Sequence, residues 1–284
     1  MINKTDNLNY QYNPRVSVPD YNKKLLNSKK LSDLALSKLN GRLDVRYGEG
    51  ELQTLDVFYK NNISNMPVHI FIHGGYWRAL DKSYHTHMAV PFYEKNIVFF
   101  NLNYDLCPNV KLSTITNQII QGIIWIIKNG HKFNADLNNI VLSGHSAGAH
   151  LASLVLSTDW EKKSIDNNIF KGVSLISGIY NTELVLGLDI NKEIKLSHLE
   201  AVKNNIFIKK PKINIPVIIA YGEDEPKKWI EQSTKYQKLL KKYKINSKLV
   251  GCPQHNHFSL IDMLADKNNR LVKMMLELSN IKKN

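Results

Sequence analysis

Four short clusters hold the residue types that acyl transfer needs. The first is Gly144-His145-Ser146-Ala147-Gly148, directly after the apolar run Ile140-Val141-Leu142-Ser143. Glycines two residues either side of a serine, where a strand should give way to a helix, describe a turn sharp enough to hold the hydroxyl above the end of a sheet. Ser146 is therefore the candidate nucleophile. The second cluster, His73-Gly74-Gly75-Tyr76-Trp77, follows Val68-His69-Ile70-Phe71-Ile72, a run that reads as a buried strand. Adjacent glycines let backbone N–H groups face a reacting carbonyl, so those of Gly74 and Gly75, with that of Ala147, form a candidate oxyanion hole. A plain strand-to-loop turn is the alternative for Gly74-Gly75.

A serine hydroxyl needs a base, and the base needs a third group to fix its tautomer. The third cluster, Gly222-Glu223-Asp224-Glu225-Pro226, follows the strand-like Val217-Ile218-Ile219-Ala220-Tyr221, and the fourth, His255-Asn256-His257-Phe258, follows Lys248-Leu249-Val250. Glu225, three residues after a glycine and just before a proline, is the favoured acid. Asp224 is the reserve, since acids here can also cap the helix that follows. His257, leading into an apolar helix, is the favoured base, with His255 in reserve. The chain order is serine, acid, histidine.

The remaining histidines have plainer readings. His69 lies in a strand, His131 and His198 sit in polar surroundings, and His145 and His150 flank the serine turn, where they pack or hydrogen-bond. His85 and His87 make an H-x-H pair that could hold a metal, but no clustered Asp, Cys or His accompanies them. Neither a metal nor a cofactor is expected.

These residues need a scaffold, and the apolar runs at 68–72, 97–102, 140–143, 172–176 and 216–221 alternate with helical stretches. That alternation predicts a parallel sheet covered on both faces. Between 112 and 128, Leu112, Ile115, Ile119, Ile120, Ile123, Ile124 and Ile127 share one broad helical face, and Asn129-Gly130 supplies a stop. Residues 42–59 read as two strands joined through Gly48-Glu49-Gly50, an antiparallel hairpin at the sheet edge. Residues 1–20 form a polar N-terminal extension, 21–39 a helix, and 21–284 one α/β domain whose long connection at 181–211 suits a small cap.

The chain resembles α/β-hydrolases of the arylformamidase (kynurenine formamidase) type. The likeness rests on HGGYW at 73–77, GHSAGAHLA at 144–152, Asn103-Tyr104-Asp105-Leu106-Cys107-Pro108, Thr158-Asp159-Trp160, Ser177-Gly178-Ile179-Tyr180 and His257-Phe258, and it spans roughly residues 10 to 278. HGGYW is fairly specific, because broader lipase and esterase relatives usually carry a third glycine where this chain has Tyr76. The resemblance implies an α/β-hydrolase fold and hydrolysis of an aryl formamide, N-formylkynurenine in the type reaction, to the arylamine and formate. It also implies an N-terminal piece over the active-site side, making Tyr10, Tyr12, Pro14 and Tyr21 lid candidates. Tyr76 and Trp77 would hold the substrate ring or, alternatively, pack the cap; Arg78 is the nearest basic residue for a substrate carboxylate. One departure is that the family acid is commonly aspartate in a D-x-P context, whereas here Glu225 precedes Pro226 directly. A carboxylesterase for short aryl esters, a metal-dependent amidohydrolase and a non-catalytic receptor on the same fold are the rival readings.

Composition bounds the partners. At 284 residues and 43% hydrophobic content the chain can bury a large core. Its net charge is +13, yet of 38 basic residues only Arg15, Arg42, Arg46, Arg78 and Arg270 are arginine, and the lysines are scattered. Nucleic-acid recognition favours arginine forks in a concentrated stripe. Two cysteines, Cys107 and Cys252, make no disulfide framework, and no apolar stretch reaches membrane length. The expected setting is cytoplasmic, with a small-molecule substrate, neither nucleic acid nor membrane, and at most a second copy of the chain as partner.

Overall fold

The computed structural model describes residues 6–279; the first five residues of the N-terminal extension and the last five of the chain lie outside them. Eight strands form one sheet: β1 (Gly41–Arg46), β2 (Thr54–Phe58), β3 (Met66–Ile72), β4 (Val98–Leu102), β5 (Ala135–His145), β6 (Phe170–Ile176), β7 (Val217–Gly222) and β8 (Ser247–Cys252). Their order is β1-β2-β4-β3-β5-β6-β7-β8. The run from β4 to β8 is parallel, while β2 pairs antiparallel with both β1 and β4.

Parallel strands need crossovers, and helices supply them on both faces. Before the sheet come α1 (Leu8–Tyr12), α2 (Pro14–Ser17) and α3 (Tyr21–Leu36); α4 (Ala89–Glu94), α5 (Leu112–Asn129) and α6 (Ala147–Leu156) follow β3, β4 and β5. Between β6 and β7 lie α7 (Asn191–Ile194) and α8 (His198–Asn204); α9 (Lys227–Lys242) joins β7 to β8, and α10 (Ser259–Asp262) and α11 (Arg270–Ser279) close the chain. Of the apolar positions read from the sequence, α5 buries Leu112, Ile115, Ile119 and Ile123 fully and Ile120, Ile124 and Ile127 in part. Two apolar layers result, because a strand buried on both faces feeds alternate side chains to each: Val68, Ile70 and Ile72 of β3 join one, and Phe71 joins the other. Among the described residues no helix is long and apolar enough to cross a membrane.

The carboxyl ends of the parallel strands are where the chemistry-bearing loops emerge. The loop after β3 is pinned by an ion cluster: the buried Lys82 Nζ lies 2.7 Å from Oδ1 of the exposed Asp44 and 2.8 Å from Oδ1 of the buried Asp56, and Asn101 Nδ2 donates to the Lys82 carbonyl at 2.7 Å. Over these ends folds the N-terminal segment. Tyr76 donates its hydroxyl to the Tyr12 carbonyl, Gln11 Oε1 accepts from the Lys228 amide at 3.0 Å, and Tyr21 packs against Phe258 with ring centroids 6.0 Å apart.

Candidate active site

β5 delivers Ser146 with φ 58° and ψ −119°, a left-handed conformation that an L residue holds only when its surroundings enforce it. What enforces it is the close approach of neighbouring segments of the chain. A Cβ on Gly148 would lie 2.0 Å from the Ile72 carbonyl oxygen, so only glycine lets α6 start this near β3. The Ser146 amide donates to the Ile176 carbonyl at 2.8 Å, fixing the turn from the β6 side.

His257 lies on the loop after β8, with its Nε2 3.0 Å from Ser146 Oγ and its Nδ1 2.8 Å from Glu225 Oε1. The Glu225 side chain is almost wholly buried and accepts a further bond from the Gly222 amide at 2.9 Å. A carboxylate can only accept, so Nδ1 carries the ring proton and Nε2 is left as an acceptor for the serine hydroxyl. The structure brings Ser146, Glu225 and His257 together from the ends of β5, β7 and β8. Asp224 is exposed, and it is His257 rather than His255 that meets Ser146.

Ser177, at the end of β6 and the first residue of the Ser177-Gly178-Ile179-Tyr180 motif, is a further member of this network. Its hydroxyl donates to Glu225 Oε1, lies 2.8 Å from His257 Nδ1 and accepts from Trp229 Nε1 at 2.8 Å. Replacing Ser177 by Ala removes one bond to the carboxylate and leaves the buried indole N–H unpaired, each a loss of about 1–3 kcal/mol. The expected result is kcat lowered roughly ten-fold with KM little changed, together with a lower Tm; unchanged kcat in steady-state assays would remove Ser177 from the positioning of the acid.

The glycine loop after β3 faces the serine. Gly75 has φ 107°, and a Cβ there would sit 1.9 Å from the Ala79 carbonyl oxygen, so the loop is closed to any other residue. Among the described residues no protein acceptor takes the N–H of Gly74, Gly75 or Ala147. His73 orients this loop: its Nδ1 lies 2.8 Å from the Gly74 carbonyl, its Nε2 2.9 Å from the Asn103 side-chain amide, and its ring stacks on Tyr104 with centroids 4.2 Å apart. Burial pushes the His73 ring down to about 4, so it stays neutral. His145 is also held well below the ordinary value, by burial and then by the nearby His257, to whose carbonyl its Nε2 bonds at 3.0 Å.

Ser146 and His257 open onto a cavity, partly open to solvent, whose walls include Leu25, Tyr76, Leu80, Ile190, Phe258 and Ile261. The N-terminal segment contributes Asn13, Pro14, Arg15, Leu25 and Ser28, so the cavity exists only with that segment in place. Arg78 lines it too. Trp77 does not, which corrects the expectation that it holds a substrate ring: it is fully buried, edge-on to His150 at 5.0 Å. Tyr76 and Trp77 have φ 54° and 58°, and their rings meet edge-on with centroids 5.7 Å apart; of the two only Tyr76 lines the cavity. His85 lines the cavity, whereas His87 is engaged by Ser32 and the Ile261 carbonyl. Among the described residues no group of three or more His, Cys, Asp or Glu is placed to hold a metal ion. Both thiols are buried, and burial raises them, Cys107 to about 12 and Cys252 to about 11, away from nucleophilic use.

The chain is similar to known proteins over most of its length. The BD-FAE family model matches residues 55–178, the stretch from β2 to the end of β6 that holds the glycine loop and the serine turn. A kynurenine formamidase of Salmo salar is 32% identical over 243 residues, covering 83% of this chain and 81% of the relative. One of Danio rerio is 30% identical over 285 residues, 96% of each. This chain belongs to the kynurenine formamidase family. Its fold is that of the α/β-hydrolases, and it is a hydrolase. The family's architecture extends to a solved structure from Silicibacter sp. TM1040, described as a thioesterase, with TM-score 0.80 and 25% identity over 94% of this chain and 97% of that one.

Proposed function

We propose that the protein hydrolyses an aryl formamide such as N-formylkynurenine to the free arylamine and formate, with Ser146, His257 and Glu225 as its catalytic triad. The observation that carries this reading is the unbroken path of hydrogen bonds from Ser146 Oγ through His257 to Glu225, 3.0 and 2.8 Å, at the floor of a largely apolar cavity. The family membership adds the substrate class, since both fish relatives are kynurenine formamidases.

In this mechanism His257 Nε2 takes the hydroxyl proton as Ser146 Oγ attacks the formyl carbon. The carbonyl π pair moves to oxygen, and the resulting oxyanion is held by the N–H groups of Gly74, Gly75 and Ala147. Glu225 stabilises the imidazolium through Nδ1. The oxyanion then collapses, the C–N bond breaks, and His257 gives its proton to the departing aryl nitrogen. Water, deprotonated by the same ring, attacks the formyl ester, and formate leaves as Ser146 recovers its proton. Tyr76, the one aromatic of its pair that lines the cavity, flanks the substrate ring in this reading.

The preferred setting is the cytoplasm, where Cys107 and Cys252 stay reduced; the substrate is a small molecule, with no role for nucleic acid, membrane or cofactor, and a homodimer is compatible with it. Assaying N-formylkynurenine beside p-nitrophenyl acetate tests the substrate class. Formamide turnover that is unaffected by a metal chelator and exceeds ester cleavage in kcat/KM is expected. Ester cleavage without formamide cleavage would replace the formamidase reading with a carboxylesterase one.

A further inference from the structure

We propose that Arg15 and Arg78 form an anion subsite in the cavity and make the enzyme selective for substrates whose leaving group carries a carboxylate. The inference rests on the hydrolase reading of this cavity and specifies what it binds.

The two arginines reach the cavity from unrelated parts of the chain, Arg15 from α2 in the N-terminal segment and Arg78 from the turn that follows the glycine loop. No Asp or Glu among the described residues lines the same space. One carboxylate answers them: Glu193 Oε2, on a side chain 58% exposed, meets Arg78 Nη1 at 2.7 Å. Arg78 Nε is buried and has no hydrogen-bond partner. Arg15 lies over the Tyr21 ring at 5.4 Å and forms no ion pair among the described residues. The Arg78 guanidinium is lowered from its ordinary proton affinity by burial and then by Arg15, with Glu193 opposing, so the two cations act on one another and are not fully neutralised.

Two guanidinium groups against one carboxylate leave about one positive charge facing apolar walls. An anion entering there replaces lost water with charge-assisted, fork-shaped hydrogen bonds. A carboxylate, with one negative charge and a planar pair of oxygens, matches that excess; a phosphate dianion overshoots it. Ser146 lines the same cavity, so a molecule filling it can present a carbonyl to the serine while its carboxylate rests on the arginines.

The test compares kcat/KM for two substrate pairs: N-formylkynurenine with its carboxamide, and 3-(2-acetoxyphenyl)propanoate with its carboxamide. For each pair the carboxylate-to-amide ratio is measured in wild type, Arg15→Gln, Arg78→Gln and Glu193→Gln. We expect a wild-type ratio of about ten or more, falling roughly ten-fold in each arginine variant through KM and rising in Glu193→Gln, where the competing carboxylate is gone. Arg15→Gln, on a half-buried residue of the N-terminal segment, keeps the test decisive if Arg78→Gln does not fold. A wild-type ratio near one in every pair that is turned over, or a ratio unchanged in Arg15→Gln, overturns the subsite. The ester pair separates the two ideas: loss of formamide turnover with a retained ester ratio refutes the formamidase reading and leaves the subsite standing.

Discussion

Ser146→Ala is expected to lower kcat by about 10⁵-fold or more while leaving the fold and Tm close to wild type. The size follows from what the hydroxyl does. His257 Nε2, held as an acceptor by Glu225 on the far side of the ring, has Ser146 Oγ as its partner at 3.0 Å, and both cysteine thiols are buried and raised. Nothing else in the cavity offers an activated nucleophile, so removing one oxygen removes the covalent route. Residual turnover would come from water placed near the oxyanion donors, about 10³–10⁴ above the uncatalysed rate. Ala fits the position sterically because the Ser146 Oγ bond is to His257 and not to the backbone that shapes the turn. Steady-state kinetics with N-formylkynurenine and with p-nitrophenyl acetate read the loss, and thermal unfolding reads the fold. Activity within ten-fold of wild type would mean that Ser146 is not the nucleophile and would reopen metal-assisted hydrolysis.

The parts of this site that were legible in sequence are those where the chain itself encodes a backbone demand. Ser146 stands out because its left-handed turn needs glycine at 148, where a Cβ would meet the Ile72 carbonyl, and that requirement is written as G-x-S-x-G. The strand runs are legible because strands buried on both faces are continuous in apolar residues. Glu225 was separable from Asp224 by position relative to Gly222 and Pro226, and burial separates them physically. What sequence could not reach are contacts between segments far apart in the chain. Ser177 joins Glu225 and Trp229 across about fifty residues, and Arg15 meets the cavity only because α1 and α2 fold back over strands that follow it. Tyr76 and Trp77 look equivalent on paper as adjacent aromatics, while the fold buries Trp77 fully and brings only Tyr76 to the cavity. The H-x-H spacing of His85 and His87 hid a similar split, one ring lining the cavity and the other tied to Ser32 on α3.

A steep loss of stability on mild acidification is expected from the histidines that the fold keeps dry. Burial holds His69 down to about 3 and His73 and His150 to about 4, keeps His85 and His145 well below the ordinary 6.5, and lowers His87 as well. His69, His73 and His150 are neutral in the folded protein at pH 5, and burial pushes the other three in the same direction, whereas each ring in the unfolded chain gains a proton below about pH 6.5. The unfolded state therefore binds more protons, and stability falls as pH falls from about 6.5 towards 4. It is fully present above 6.5. Per ring the slope approaches about 1.4 kcal/mol per pH unit, so His69, His73 and His150 together remove roughly 6 kcal/mol by pH 5, with the other three acting in the same direction. That is comparable to the lower end of the stability of an ordinary domain. Urea unfolding at pH 8, 7, 6 and 5 should show little change between the first two and a sharp fall between the last two. Replacing His69, whose Nε2 bonds Ser143 Oγ at 2.6 Å, by Gln should flatten that slope by about one ring's share even though it lowers stability at pH 8. A stability curve flat from pH 7 to 5 would mean that these rings take up protons in the folded state, and that the cores around β3 and β5 admit water.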